Sequence, residues 1–378
     1  MKIGVNTLFL IPGEVGGSET YLREILRELA CSFPLTQVLL LTNRENDILF
    51  RNLFRSYPQF SFCSLPCTAT NRYQRIILEQ TLLPRYVART DIDLLWSPGY
   101  TAPFFSYFPQ VVTIHDMQYK RYPEDLTLLA RLATDMLVRM AVHRCQKIIA
   151  VSEFSRQEII RFTRASSDKV TVIPEAADQM YAERLSEAEI RKRLAPLIPP
   201  DRPYLLCVAN TYPHKNVHTL IQAFGDILDR IPHDLILVGK PRLGEPLVQK
   251  AIEQLPQKGR FHRIDRVEND QLIALYQGAE LFVFPSLYEG FGLPVLEAMM
   301  AGTPVVASQN GSIPEVGGEC ITYFDEKRRD DLPSKIQDLL HLSKNGRDHL
   351  IQKAYLHATS FSWKLTVQKT LACFQSLI

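Results

Sequence analysis

The chain has 378 residues, 46% of them hydrophobic and 22% charged, with a formal net charge of +2. That length exceeds what one hydrophobic core usually covers, so two domains are expected, and the composition excludes intrinsic disorder and a collagen-like or coiled-coil rod. The 43 Lys and Arg against 41 Asp and Glu argue against a protein whose main task is holding nucleic acid.

The N-terminus, MKIGVNTLFLIPGEVGGSE, carries one Lys and a short apolar run with no small-residue cleavage site. It reads as a first β-strand of a cytoplasmic protein. No apolar stretch approaches the ~20 residues that span a bilayer. Short β-branched or leucine-rich runs recur at residues 3–10, 37–41, 94–96, 111–114, 147–151 and 170–173. A second set follows at 204–208, 235–238, 281–284, 304–307 and 320–324. Helical patterns between many of them predict parallel sheets covered by helices on both faces. Residues 174–203 lack a strand run and carry Pro196, Pro199 and Pro200. This proline-rich stretch is the best linker candidate. The expected division is an α/β domain at 1–178, a linker at 179–199 and a second α/β domain at 200–360. Two doubly wound units facing each other would put their strand C-termini around one cleft. The seven cysteines are scattered without a C-x-x-C, as in reduced, packed thiols.

Three strand-to-helix junctions stand out, because backbone amides at a helix N-terminus favour anions. The first is Gly13-Glu14-Val15-Gly16-Gly17-Ser18, before a helix with apolar Tyr21, Leu22, Ile25, Leu26 and Leu29. Gly16 and Gly17 would let a phosphate or sugar approach the main chain, although a plain turn explains them equally well. It is neither G-x-G-x-x-G nor a P-loop. The second runs from Ala209 to Asn216, with Lys215 at the mouth of a helix and Asn216 as its expected N-cap. A cation there suits a diphosphate; the bland reading is a solvated loop lysine. The third is PSLYEGFGLPVLEAMMAG, with Glu289 in the loop, Pro294 in the first helical turn and Glu297 one turn inside. Two carboxylates flanking the amides of Gly290, Phe291, Gly292 and Leu293 can grip a polyhydroxylated ligand that carries an anion.

The stretch PSLYEGFGLPVLEAMMAGTPVVAS resembles the donor-site signature of the large retaining, nucleotide-sugar-dependent glycosyltransferase family 4. VVTIHDMQYKRYPE, IIAVSEFSRQEII, YLLCVANTYPHKNVHTLIQAF and NGSIPEVGGECITYF resemble further family blocks in the family's order. The HD-plus-PHKN combination is most similar to its mannosyltransferase-like branch. The resemblance implies a GT-B architecture of two Rossmann-like domains, an E-x7-E donor signature and no metal requirement. It implies that Glu289 contacts the transferred sugar, Gly290 to Leu293 its hydroxyls and the distal phosphate, and Glu297 the ribose. Lys215 would neutralise the leaving diphosphate, and Gly16 and Gly17 would pack on it. His115 would sit beside donor sugar and acceptor, as a positioner rather than a base. Where many relatives carry an arginine, this chain has Ala209 and Asn210, so Asn210 or Thr211 would donate hydrogen bonds instead. Base recognition is expected on the backbone near Arg266 and Val267. In relatives the terminal helix, here 361–378, crosses back onto the N-terminal domain.

Other features have bland readings. Asp91-Ile92-Asp93 is a D-x-D, but it precedes a strand instead of following one, so no metal site is expected. His214 and His218 lack the glutamate of a metalloprotease pair. Arg51, Arg55, Arg72, Arg75, Arg85 and Arg89, interleaved with Phe54, Tyr57, Phe60, Phe62 and Tyr73, suggest contact with anionic lipid or a lipid-linked acceptor, or only a solvated face. The expected activity is transfer of a hexose, with mannose from GDP-mannose favoured, to a surface polysaccharide, O-antigen or lipid-linked glycan. The alternatives are a nucleotide-sugar 2-epimerase of the same architecture and a non-catalytic nucleotide-sugar or glycan-binding relative.

Overall fold

Parallel strands buried on both faces read as short continuous apolar runs, and the computed structural model is built from such strands. It describes residues 1–199 and 202–378; Pro200, one of the linker prolines, lies outside the described residues. The chain divides into two units, Met1–Glu175 with Ser362–Ile378, and Ala176–Phe361.

The first unit opens with β1 (Lys2–Asn6), α1 (Gly17–Ser32), β2 (Gln37–Thr42), α2 (Asp47–Phe54), β3 (Phe60–Ser64) and α3 (Arg72–Val87). It continues with β4 (Leu94–Ser97), β5 (Gln110–Ile114), α4 (Gln118–Arg121), α5 (Leu128–Arg144), β6 (Lys147–Ala150), α6 (Glu153–Thr163) and β7 (Val170–Val172). The sheet order is β3-β2-β1-β4-β5-β6-β7, parallel throughout. The order reverses between β1 and β4. Right-handed crossovers therefore put α1 and α2 on one face and α3, α5 and α6 on the other.

The second unit holds α7 (Glu187–Leu194), β8 (Tyr204–Val208), α8 (Val217–Ile227), β9 (Asp234–Val238), α9 (Glu245–Glu253), β10 (Phe261–Ile264) and α10 (Asn269–Gly278). It is completed by β11 (Leu281–Phe284), α11 (Leu293–Met300), β12 (Val305–Ser308), α12 (Ile313–Gly317), β13 (Thr322–Phe324), α13 (Asp331–Leu340) and α14 (Lys344–Ala358). Its parallel sheet runs β10-β9-β8-β11-β12-β13 and reverses between β8 and β11. The last helix, α15 (Trp363–Gln375), packs on α1. Trp363 meets Tyr21 edge-on at 6.2 Å, and Phe374 lies 5.7 Å from Trp96.

Three departures from the sequence reading have physical reasons. Strands β3 and β10 were not expected; both are sheet edges, where half-exposed positions admit Ser, His and Arg into the run. The first strand ends at Asn6, not at residue 10. Beyond it the main chain turns, and Asn43 and Asn46 satisfy the buried carbonyls: Asn43 Nδ2 donates to Leu8 (3.1 Å) and Leu10 (3.0 Å), and Asn46 Nδ2 to Thr7 (2.8 Å). Residues 179–199, read as a linker, hold a 3-10 turn and α7, which packs on α10.

Candidate functional site

In doubly wound sheets ligands bind beyond the strand C-termini where the order reverses. In the second unit that point lies between β8 and β11, and the loops leaving these two strands carry Lys215 and Glu289. Leu287 N donates to His214 O at 2.7 Å, which ties the loops together. Lys215 Nζ then donates to Glu289 Oε1 at 2.6 Å and lies 5.8 Å from the Phe284 ring centroid. Both side chains are largely shielded from solvent, so their attraction is screened less by salt than that of a surface ion pair.

The main chain around Glu289 is fixed by the loop after β12. Ser312 Oγ donates to Glu289 O (3.0 Å) and Phe291 O (2.7 Å), and Ser308 Oγ to Ser286 O. Gly311 has φ +61°, and a Cβ there would come within 2.8 Å of Glu289 N and O, so only glycine fits. Gly292, at φ +102°, turns the chain from Gly290 and Phe291 into α11, where Leu293 is the first helical residue. Glu297, one turn inside, accepts from Tyr276 Oη at 2.8 Å. Burial first, and then the charge of Glu297, push the Tyr276 phenol well above its ordinary pKa, so it stays a donor.

Asn216 is the N-cap of α8, as expected, but in a left-handed conformation, φ 54°, and without a side-chain capping hydrogen bond. Its Oδ1 accepts from Thr219 Oγ1 at 2.6 Å instead of from a backbone amide. Thr211, expected as a substitute anion donor, spends its hydroxyl proton on Glu245 Oε2 at 2.8 Å. Glu245 is in turn held by both Nη atoms of Arg263, at 2.6 and 2.8 Å. Asn210 Oδ1 accepts from Lys240 N at 2.8 Å, which leaves Nδ2 as the group it can offer a ligand. Val267 is half-buried on the β10–α10 loop, with exposed Arg266 before it. His214 is stacked on Tyr212 at 5.6 Å. Its pKa is held at about 3, by burial and secondarily by Lys215.

In the first unit, Gly16 (φ +60°) caps α1 and Gly17 is its first residue, both exposed. Glu19 folds this loop by accepting from Gly13 N at 2.7 Å. His115, after β5, is buried: Nδ1 lies 3.1 Å from Glu175 Oε1 and Nε2 3.1 Å from Pro98 O. A carbonyl oxygen only accepts, so Nε2 carries a proton and has no lone pair for base chemistry. The ring meets Tyr21 edge-on at 4.8 Å. Sequence reading missed Glu175, and it missed Glu79 at the β1/β4 reversal. Glu79 accepts from Asn6 Nδ2 (3.0 Å) and Thr101 Oγ1 (2.9 and 3.0 Å). Its isolation as the single acid among six arginines was the available signal.

Asp91 pairs with Lys2 Nζ and Asp93 accepts from Lys2 N at 2.7 Å, so both serve the start of β1. Among the described residues no group of three or more His, Cys, Asp or Glu could hold a metal ion. All seven cysteines are free thiols. Phe54 and Phe60 stack on each other at 4.8 Å in the core, so the expected basic-aromatic surface loses these two rings. No helix among the described residues is long and apolar enough to cross a membrane.

Comparison with known proteins agrees with this architecture. The family described as Glycosyltransferase Family 4 matches residues 15–179, and Glycosyl transferases group 1 matches residues 188–357. O-antigen chain mannosyltransferase B of Escherichia coli is 30% identical over 269 residues, spanning 71% of this chain and 70% of that protein. The serotype-specific mannosyltransferase WbdA of Escherichia coli is 30% identical over 251 residues, covering 62% of this chain but 29% of that longer protein. The crystal structure of Anabaena HepE with UDP and glucose superposes with a TM-score of 0.78 at 20% identity, covering 100% of both chains. The chain belongs to glycosyltransferase family 4, as a GT-B enzyme of glycan biosynthesis similar to the mannosyltransferases.

Proposed function

We propose that this enzyme transfers mannose from GDP-mannose, with retention of configuration and without a metal ion, to a growing surface polysaccharide, O-antigen or lipid-linked glycan at the cytoplasmic face of a membrane. The observation that carries the reading is the 2.6 Å Lys215–Glu289 pair at the β8/β11 reversal, beside the start of α11. The arriving donor would exchange one pair for two contacts: Lys215 to the diphosphate, Glu289 to the sugar hydroxyls. Gly290, Phe291, Gly292 and Leu293 would supply amides to the sugar and distal phosphate, and Glu297, steadied by Tyr276, would hold the ribose. Asn210 Nδ2 would donate to the phosphates, and the main chain near Val267 would meet the base.

In the transfer step the bond between C1 and the phosphate oxygen breaks as the acceptor oxygen bonds C1 on the same face. The acceptor proton passes to the departing diphosphate. Lys215 and the amides before α11 stabilise the charge that builds on it, which is where preorganised electrostatics matter most. Supporting the mannose assignment are the names of the two mannosyltransferases that are 30% identical. The test is incubation with GDP-, UDP-, ADP- and dTDP-sugars and an oligosaccharide acceptor, with products read by NMR and chelator added in parallel. An α-linked mannoside from GDP-mannose that survives chelation is expected. Transfer from another donor, inversion, chelator sensitivity, or an epimerised sugar nucleotide with acceptor unused would each contradict the corresponding part.

A further inference from the structure

We infer that the outer face formed by α3 and α5 of the first unit docks on an anionic lipid surface. The inference deepens the proposed function, since it rests on an acceptor held at a membrane. Helices α3 and α5 lie on the same side of their sheet and are joined side by side. Arg72 Nη2 on α3 donates to Thr134 Oγ1 on α5. The strap between β4 and β5 fills the space between them. Gln80 Nε2 donates to Ala102 O (3.0 Å), its Oε1 accepts from Phe104 N (2.9 Å), and Arg144 Nε donates to Phe104 O (3.0 Å).

This surface turns large apolar side chains outward. Tyr73 and Ile77, one turn apart on α3, are exposed, as is Tyr107 on the strap, at 89%. Helix α5 buries Leu137, Val138 and Ala141 against the sheet, yet Leu129, at 77%, and Leu132 and Met136, each at 57%, point away from it. Single exposed apolar residues need no explanation, but a group on one face marks an interaction site. Charge selects the partner. Each helix carries three arginines against one acid. Glu79 is buried, and Asp135 is held by Lys120 (2.6 Å) and Arg139 (3.1 Å). Apolar side chains among arginines match a bilayer's acyl boundary under anionic headgroups. A second copy of this chain would bring the same arginines face to face.

The test is co-sedimentation of the full chain with vesicles of phosphatidylcholine alone, or of phosphatidylcholine and phosphatidylglycerol in equal parts. The wild type should sediment with the anionic vesicles and stay in solution with the neutral ones. Leu129→Glu/Leu132→Glu, with an unchanged melting temperature, should bind the anionic vesicles at least about tenfold more weakly. Equal sedimentation of wild type and variant, or no sedimentation of either, would overturn the inference. So would a wild-type dimer by light scattering that the variant converts to monomer without changing vesicle binding. Nucleotide-sugar binding is measured alongside. Vesicle binding without sugar-nucleotide binding would leave the docking face standing and remove the proposed function.

Discussion

The two sheets treat their C-terminal ends differently. In the second unit the loops after β8 and β11 meet directly, and their charged side chains, Lys215 and Glu289, find each other at 2.6 Å. In the first unit the polar groups near the corresponding reversal are tied into the protein itself: Glu79 to Asn6 and Thr101, His115 to Glu175 and Pro98. Only the exposed Gly16–Gly17 turn offers bare main chain among the residues expected there. The difference separates a site whose charges are exchangeable from one whose charges are structural. A ligand can replace Lys215 as the partner of Glu289, because each acquires a new partner. Withdrawing Glu175 from His115 would strand a buried carboxylate.

The largest effect that sharpens this contrast is on transfer by Lys215→Ala, expected to fall about a thousandfold in kcat/KM as leaving-group stabilisation is lost. Glu289→Gln should lower transfer about a hundredfold or more, yet bind GDP more tightly than wild type, because Lys215 no longer has to leave a carboxylate. Calorimetry showing weaker GDP binding would mean the pair is not exchangeable. In the first unit, His115→Asn should instead cost stability, about 2 kcal/mol by urea denaturation, with donor affinity unchanged. A loss of donor affinity there would erase the contrast. Tyr276→Phe, which removes the donor to Glu297, should weaken donor binding about tenfold in the same calorimetric assay.

The smallest effect concerns pH. His214 titrates at about 3 when folded against 6.5 when unfolded, chiefly because it is buried. Between those values the unfolded chain binds the extra proton, so the stabilisation is complete above about pH 6.5 and is lost as pH falls. Unfolding free energies from urea denaturation should drop by about 0.7 kcal/mol more for the wild type than for His214→Gln between about pH 7 and pH 6. Parallel slopes for the two proteins would place the titration elsewhere.

What was legible in the sequence follows the same division. Central strands such as β8 and β11 are continuous apolar runs, and Pro294 and Gly302 mark helix α11 at both ends, so the second unit's loops could be located from residue types alone. The edge strands β3 and β10 could not, because half-exposed strands accept polar residues and lose the pattern. Lys215 and Glu289 were legible as separate residues of two loops, but their pairing depends on the β8/β11 adjacency. Glu175 was not legible: its partner His115 is 60 residues away, and nothing local distinguishes a buried glutamate from a solvated one. Glu79 left only its isolation among the arginines as a sign, because its partner Asn6 lies 73 residues away. Thr211 shows the converse. Its place in the loop suggested a ligand contact, and only the fold reveals that Glu245 takes its proton.

The most direct measurement is thermal stability of the wild type and Lys215→Ala with GDP-mannose and with UDP-, ADP- and dTDP-sugars. A ligand at about a hundred times its dissociation constant stabilises a fold by about 2.7 kcal/mol, a readily measured shift. Stabilisation of the wild type by GDP-mannose, largely lost in Lys215→Ala, is the expected result. An equal shift in both proteins, or none with any of the four, would contradict a donor site built on Lys215 and Glu289.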